Sequence, residues 1–165
     1  MQSFIRCAVD DPGIELTIKI KGHPTARKDL TELCRGMGFK ELPLNIVVTD
    51  SVPAFDLIQT SELVAGFTST TLIEAMILGK PIIAPYFHDF VPLEQTDYFS
   101  ANPSVVNYIK GEEELQAILS GSVPLAFPME AEKIELLSPL LHSYDGRSAE
   151  RVDKGLIEVI EQHCS

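Results

Sequence analysis

No stretch of this chain is apolar for long enough to cross a bilayer, and its amino end carries no signal-peptide pattern. Cysteine is scarce: Cys7, Cys34 and Cys164 are odd in number, widely spaced and without a C-x-x-C pair. That argues against a disulfide framework or a zinc site and for reduced thiols in a cytoplasmic protein. The four histidines are equally scattered, none at metal-ligand spacing from another His or Cys, so no metal site is expected. Positive charge is the other shortage. Thirteen Lys and Arg stand against 24 Asp and Glu, a formal net charge of −11, so a bare phosphate backbone would be repelled and general nucleic-acid binding is not expected. A small anion can still bind locally. There is no internal repeat and no low-complexity segment.

What is present is a globular composition, 45% apolar and 22% charged over 165 residues. That length reads as one domain, residues 1–165, able to bury about two-thirds of its unfolded surface around one core. Met1 to Val9 reads as a short helix ending at the turn signal Asp10-Asp11-Pro12-Gly13. Ile14 to Ile20 alternates apolar with polar residues and reads as a strand with one wetter side, closed by Lys21-Gly22-His23-Pro24. Arg27 to Met37 places Leu30, Leu33, Cys34 and Met37 on one helical face. Leu44 to Thr49 is a buried strand, and Pro53, suited to a first-turn position, opens a helix to Thr60.

The informative stretch is Glu62 to Pro85. An apolar run of strand length, Leu63 to Phe67, meets Thr68, Ser69, Thr70 and Thr71 where a helical pattern starts. Leu72, Ile73, Ala75, Met76, Ile77 and Leu78 are apolar almost all round, so the helix should be buried; Gly79 and Pro81 stop it before a second strand, Pro81 to Ala84. This is a parallel β-α-β unit, because both strands lack polar alternation and the helix is long enough for a crossover. The order strand, helix, strand, helix, strand, helix, strand is that of an open, mostly parallel sheet with helices on both faces.

After it, residues 85–103 have no sustained period. They are rich in aromatic and acidic residues, read as packing for a long loop or an interface to another domain. His88-Asp89 is not read as a base and its orienter, since adjacent side chains in an extended segment point opposite ways. Val105 to Ile109 is read as a strand, Glu112 to Leu119 as a helix, Gly121 to Pro128 as loop, and Glu130 to Leu141 as a helix interrupted or bent near Pro139. Ser148 to His163 is the clearest amphipathic helix, with Ala149, Val152, Leu156, Val159 and Ile160 on one stripe.

The first turn of the central helix leaves backbone N–H groups unpaired at the positive end of a macrodipole, a natural seat for phosphate. Ser69, Thr70 and Thr71 would add hydroxyls, and Glu74, one turn in, would accept bonds from ribose hydroxyls. Thr71-x-x-Glu74 also has the form of a capping box, and a Ser/Thr helix start needs no ligand; from the residues alone both readings stand. His23 follows a strand, where a parallel sheet has its ligand crevice, and a His there would bond or neutralise phosphate. Lys21 and Lys80 near that edge are read as solvated.

Lys21-Gly22-His23-Pro24, then Gly66-Phe67-Thr68-Ser69-Thr70-Thr71-x-x-Glu74-Ala75-x-x-x-Gly79-Lys80-Pro81, then Asp145-Gly146-Arg147-Ser148-Ala149-Glu150-Arg151 resemble the carboxyl-terminal half of bacterial surface-polysaccharide transferases. These are two-domain enzymes of the GT-B architecture, similar to CDP-glycerol glycerophosphotransferases, polysialyltransferases and capsule transferases. The resemblance implies a Rossmann-like three-layer α/β/α domain that binds a CDP-, CMP- or UDP-linked donor without a metal. It implies phosphate contacts from His23 with Pro24 and from Ser69 with Thr70, a ribose contact from Glu74, and a donor-sugar contact from Glu94 and Gln95; Thr68 and Thr71 join the phosphate group as the neighbouring hydroxyls. The catalytic base would come from an amino-terminal acceptor domain for which this chain has no room, so alone it should bind nucleotide weakly and turn over nothing. A nucleotide-sugar epimerase of the same architecture and a non-catalytic interaction domain are the alternatives.

Overall fold

Ile82 and Ile83 are neighbours in one strand, so their side chains leave opposite faces of the sheet, and both are completely buried. Ile82 belongs to a core with Leu72, Met76, Val105 and Leu137, whereas Ile83 belongs to a second one with Cys7, Ile109 and Leu115. Helices therefore cover both sides of this strand. The computed structural model describes residues 1–20, 24–66, 69–85, 99, 103–141 and 145–163.

The elements are α1 (Gln2–Asp10), β1 (Leu16–Lys19), α2 (Pro24–Gly36), β2 (Ile46–Thr49), α3 (Ala54–Thr60), β3 (Val64–Ala65), α4 (Thr70–Ile77), β4 (Ile82–Pro85), a 3-10 turn (Pro103–Val105), β5 (Asn107–Ile109), α5 (Glu112–Leu119), α6 (Glu130–Leu141) and α7 (Ser148–His163). All described strand pairs are parallel, in two sets: β1 with β2, and β3-β4-β5 with β4 central. The protein is thus mixed α/β with open parallel sheets, the class expected from the alternation of its elements. In β3-β4-β5 the register sets Val64 against Ile82 and Ile83 against Asn107. α3, α4 and α6 supply the core on one side, α1 and α5 that on the other.

The β1-β2 pair differs. Ile18 and Ile46 turn towards Ile5 and Ala8 of α1 and Leu30 and Cys34 of α2, while Thr17, Lys19 and Val47 on the opposite face are exposed. This is the wetter side read from the Ile14–Ile20 alternation.

α1 joins the two halves. Ile5, Ala8 and Val9 belong to the β1-β2 core, and Phe4 and Cys7 to the core shared with α5. Arg6 reaches Glu112 at 3.5 Å. Asn45 anchors the other end of α1, its Nδ2 donating to the carbonyl oxygens of Ala8 (2.6 Å) and Ile14 (2.8 Å). Burial pushes the Cys7 thiol up from its ordinary range, helped by the Glu112 and Asp10 carboxylates. A thiol whose pKa is raised on folding adds stability below its unfolded pKa, and that contribution fades as pH rises through the folded one. Iodoacetamide at pH 8 should therefore leave Cys7 unmodified in the native protein and alkylate it in urea, read by peptide mass spectrometry; labelling of native Cys7 at the unfolded rate would refute this.

Some boundaries move, each for a local reason. α2 begins at Pro24 instead of Arg27, since proline is preset for a first helical turn. Pro53 is the N-cap of α3, extended at φ −56° and ψ 142°, not its first helical residue. α6 runs on through Pro139, which lies in its last turn, so the single ladder bond it removes falls at the helix end. Val105 closes the 3-10 turn, and the strand that follows starts at Asn107. In α7 the expected stripe is present but uncovered: Val152, Leu156, Val159 and Ile160 are all more than half exposed. Among the described residues no helix is long and apolar enough to cross a membrane.

Candidate anion site at the start of the buried helix

β3 passes into α4 through a tight join that glycine permits. The Gly66 N–H extends the ladder to the Ile83 carbonyl at 3.0 Å, and a Cβ built on Gly66 would stand 3.2 Å from Leu72 Cδ2. A side chain at residue 66 would crowd Leu72, so glycine eases the close approach of the strand end to the first turn of α4. Ser69 then sits extended, at φ −141° and ψ 138°, and caps the helix: its Oγ accepts from the Thr71 N–H at 3.3 Å and its carbonyl accepts from the Leu72 N–H at 3.0 Å.

The helix start is thus capped from within the chain, but by a different residue from the one its spacing suggested. The cap is Ser69, so Thr71 lies inside the helix and Glu74 is too far along it to reach back; Thr71-x-x-Glu74 is not a capping box. Glu74 is half-buried, and its carboxylate has no hydrogen bond or ion pair among the described residues. The hydroxyls of exposed Thr70 and half-buried Thr71, and the Thr70 N–H, are also unpaired among the described residues. Only Ser69 Oγ is engaged, by a long bond that a stronger acceptor at the helix start would replace.

No protein-family model matches this chain, and no curated protein matches it.

Of the residues singled out in the sequence, Ser69, Thr70, Thr71 and Glu74 are brought together by the first two turns of α4. His23, Thr68, Glu94 and Gln95 lie outside the described residues. β1, which precedes His23, and β3, which precedes the hydroxyls, belong to different hydrogen-bonded sheets, so strand pairing alone does not set them on one edge. Phe99 is packing: it is 1% exposed within the core beneath α4.

Lys80 departs from its reading as a solvated residue. Its Nζ donates to the carbonyl oxygens of Gln59 (2.9 Å) and Ser61 (2.7 Å), clamping the end of α3 to the turn after α4. A cation at unsatisfied carbonyls of a helix end answers both their lone pairs and the macrodipole. Nothing local in the chain signals this role, because the partners are backbone atoms about twenty residues away. Gly79 at φ +69° lets the chain turn sharply enough to aim Lys80 there.

Proposed function

We propose that this domain binds the nucleotide part of an activated donor, as the donor-binding half of a glycosyl- or glycerophospho-transferase of surface polysaccharide assembly. The observation that carries the reading is Glu74: a half-buried residue one turn into a buried helix, its carboxylate without a partner among the described residues, beside unpaired threonine hydroxyls and an unpaired N–H. A ribose diol would supply two hydroxyl donors to this carboxylate, which no protein group among the described residues engages. A donor phosphate would sit on the Thr70 N–H with the hydroxyls of Ser69, Thr70 and Thr71, where the macrodipole favours negative charge. In the transfer step these groups would hold the charge that builds on the leaving phosphate, with His23 added from the resemblance and Thr68 as a neighbouring hydroxyl. The acceptor and the catalytic base would come from a second domain.

Calorimetric titration with CMP, CDP and UDP tests this. One of the three should bind; Glu74→Ala should weaken it by about tenfold or more, the worth of hydrogen bonds to a charged group. His23→Ala and Ser69→Ala should weaken the diphosphates more than the monophosphate. No binding by any nucleotide, or binding indifferent to all three substitutions, would refute the reading.

A second reading, a non-catalytic interaction domain, draws support from the uncovered stripe of α7. An isolated sixteen-residue helix is marginal in water, so a surface that covers Val152, Leu156, Val159 and Ile160 would stabilise it. Light scattering that shows an oligomer, together with no nucleotide affinity, would favour this second reading.

A further inference from the structure

A separate cleft opens between α2 and β2, and its floor is built by the way α2 ends. Gly38, at φ +87°, follows the helix; its N–H bonds the Arg35 carbonyl at 3.0 Å and the Phe39 N–H bonds the Cys34 carbonyl at 3.0 Å. These are the paired bonds of a Schellman motif, which turns the chain back and brings Phe39 against the last turn of the helix. The returning segment, Lys40 to Leu42, runs ahead of β2 and leaves a hollow of about 660 Å³. That is the size of a small-molecule site.

The lining divides by chemistry. Leu30, Cys34, Phe39, Leu42 and Val48 supply apolar wall, and Arg35 and Lys40 supply two cations. Neither side chain has an ion pair or hydrogen bond among the described residues, although Glu41 also lines the cleft and the chain has a large surplus of acid. Arg35, in the last turn of α2, is favoured by the macrodipole; Lys40, beyond the helix, has no such reason to be there.

We infer that this cleft binds a small apolar monocarboxylate, a short acyl chain or an aromatic acid, with its hydrocarbon on Phe39, Leu42 and Val48 and its carboxylate between Arg35 and Lys40. An apolar body gains from leaving water, and a carboxylate held by two unpaired cations forms charge-assisted bonds that an alcohol or an amine cannot. The site is distinct in position and chemistry from the start of α4 and does not depend on the nucleotide reading.

The test is an amide NMR titration of the full chain with octanoate, octanol and octylammonium. Octanoate should shift amides of residues 30–42 and Val48 in a saturable way and bind about tenfold or more tightly than either analogue. The exposed pair Arg35→Gln with Lys40→Gln should abolish that preference and leave the circular dichroism spectrum and melting temperature unchanged. Equal binding of octanol would reduce the cleft to a non-selective apolar hollow and overturn the inference. So would tighter octylammonium binding, which would make Glu41 the recognition group, or octanoate shifts confined to other regions.

Discussion

Ile83→Ala is expected to lower the unfolding free energy by about 2–5 kcal/mol, the range for deleting buried aliphatic side chains from a core that relaxes only in part. Ile83 is fully buried in the central strand of the three-stranded sheet, paired with both Ala65 and Asn107. Its side chain enters the core shared by Cys7, Ile109 and Leu115, so removing it loosens α1 and α5 together. Against a total of about 5–15 kcal/mol for an ordinary domain, this is a large fraction. Urea unfolding followed by circular dichroism measures it, with Val47→Ala as control. Val47 is 53% exposed on the wet face of β2, so its truncation should stay within about 0.5 kcal/mol. A loss below about 1 kcal/mol for Ile83→Ala would mean that this side chain does not anchor the core shared by α1 and α5.

Asn107→Ala is expected to cost about 1–3 kcal/mol, and Asn107→Asp at least as much at neutral pH. The Asn107 Nδ2 donates to the carbonyls of Ile82 (3.0 Å) and Ala126 (3.1 Å), and its Oδ1 accepts from the Ala126 N–H at 2.8 Å. The amide thus does for the segment before α6 what another strand would do, pairing it to β5 from both sides. Alanine takes these side-chain bonds from the Ala126 N–H and carbonyl. Aspartate is the sharper probe, because the ionised carboxylate can keep the Ala126 N–H but sets negative charge against two carbonyl oxygens. Its folded pKa would be raised, so the penalty should shrink as pH falls towards about 4 and be complete at pH 7. Urea midpoints of variant and parent, compared at each pH, read this out. A penalty independent of pH would show that position 107 does not face those carbonyls.

The parts of the fold that local chemistry decides were legible in the chain. Glu112 to Leu119, Glu130 to Leu141 and Ser148 to His163 form helices over the spans their periodicity indicates, and Leu72 to Met76 is the buried helix that its apolar composition demands. What escaped was set by contacts distant in sequence. The division of the strands into two sheets is one such case, since β1 and β3 read alike as half-buried or buried runs and nothing local says which strand each will pair. Asn45, Asn107 and Lys80 are others: an amide or ammonium that serves backbone carbonyls many residues away looks, in one dimension, like any polar residue in a turn. At the candidate site the hydroxyl cluster was visible as a helix start. Which hydroxyl caps it was not, because Ser and Thr both cap helices and four hydroxyl residues stand in a row there.

The placement of α1 has a kinetic consequence. One short amino-terminal helix supplies wall to the hydrophobic interior of both sheets, so the fluctuation that peels it away bares both at once. Amide hydrogens of Ile18 and Ile109, in different ladders, should then exchange with solvent through a shared opening and respond together when that helix is shortened or mutated.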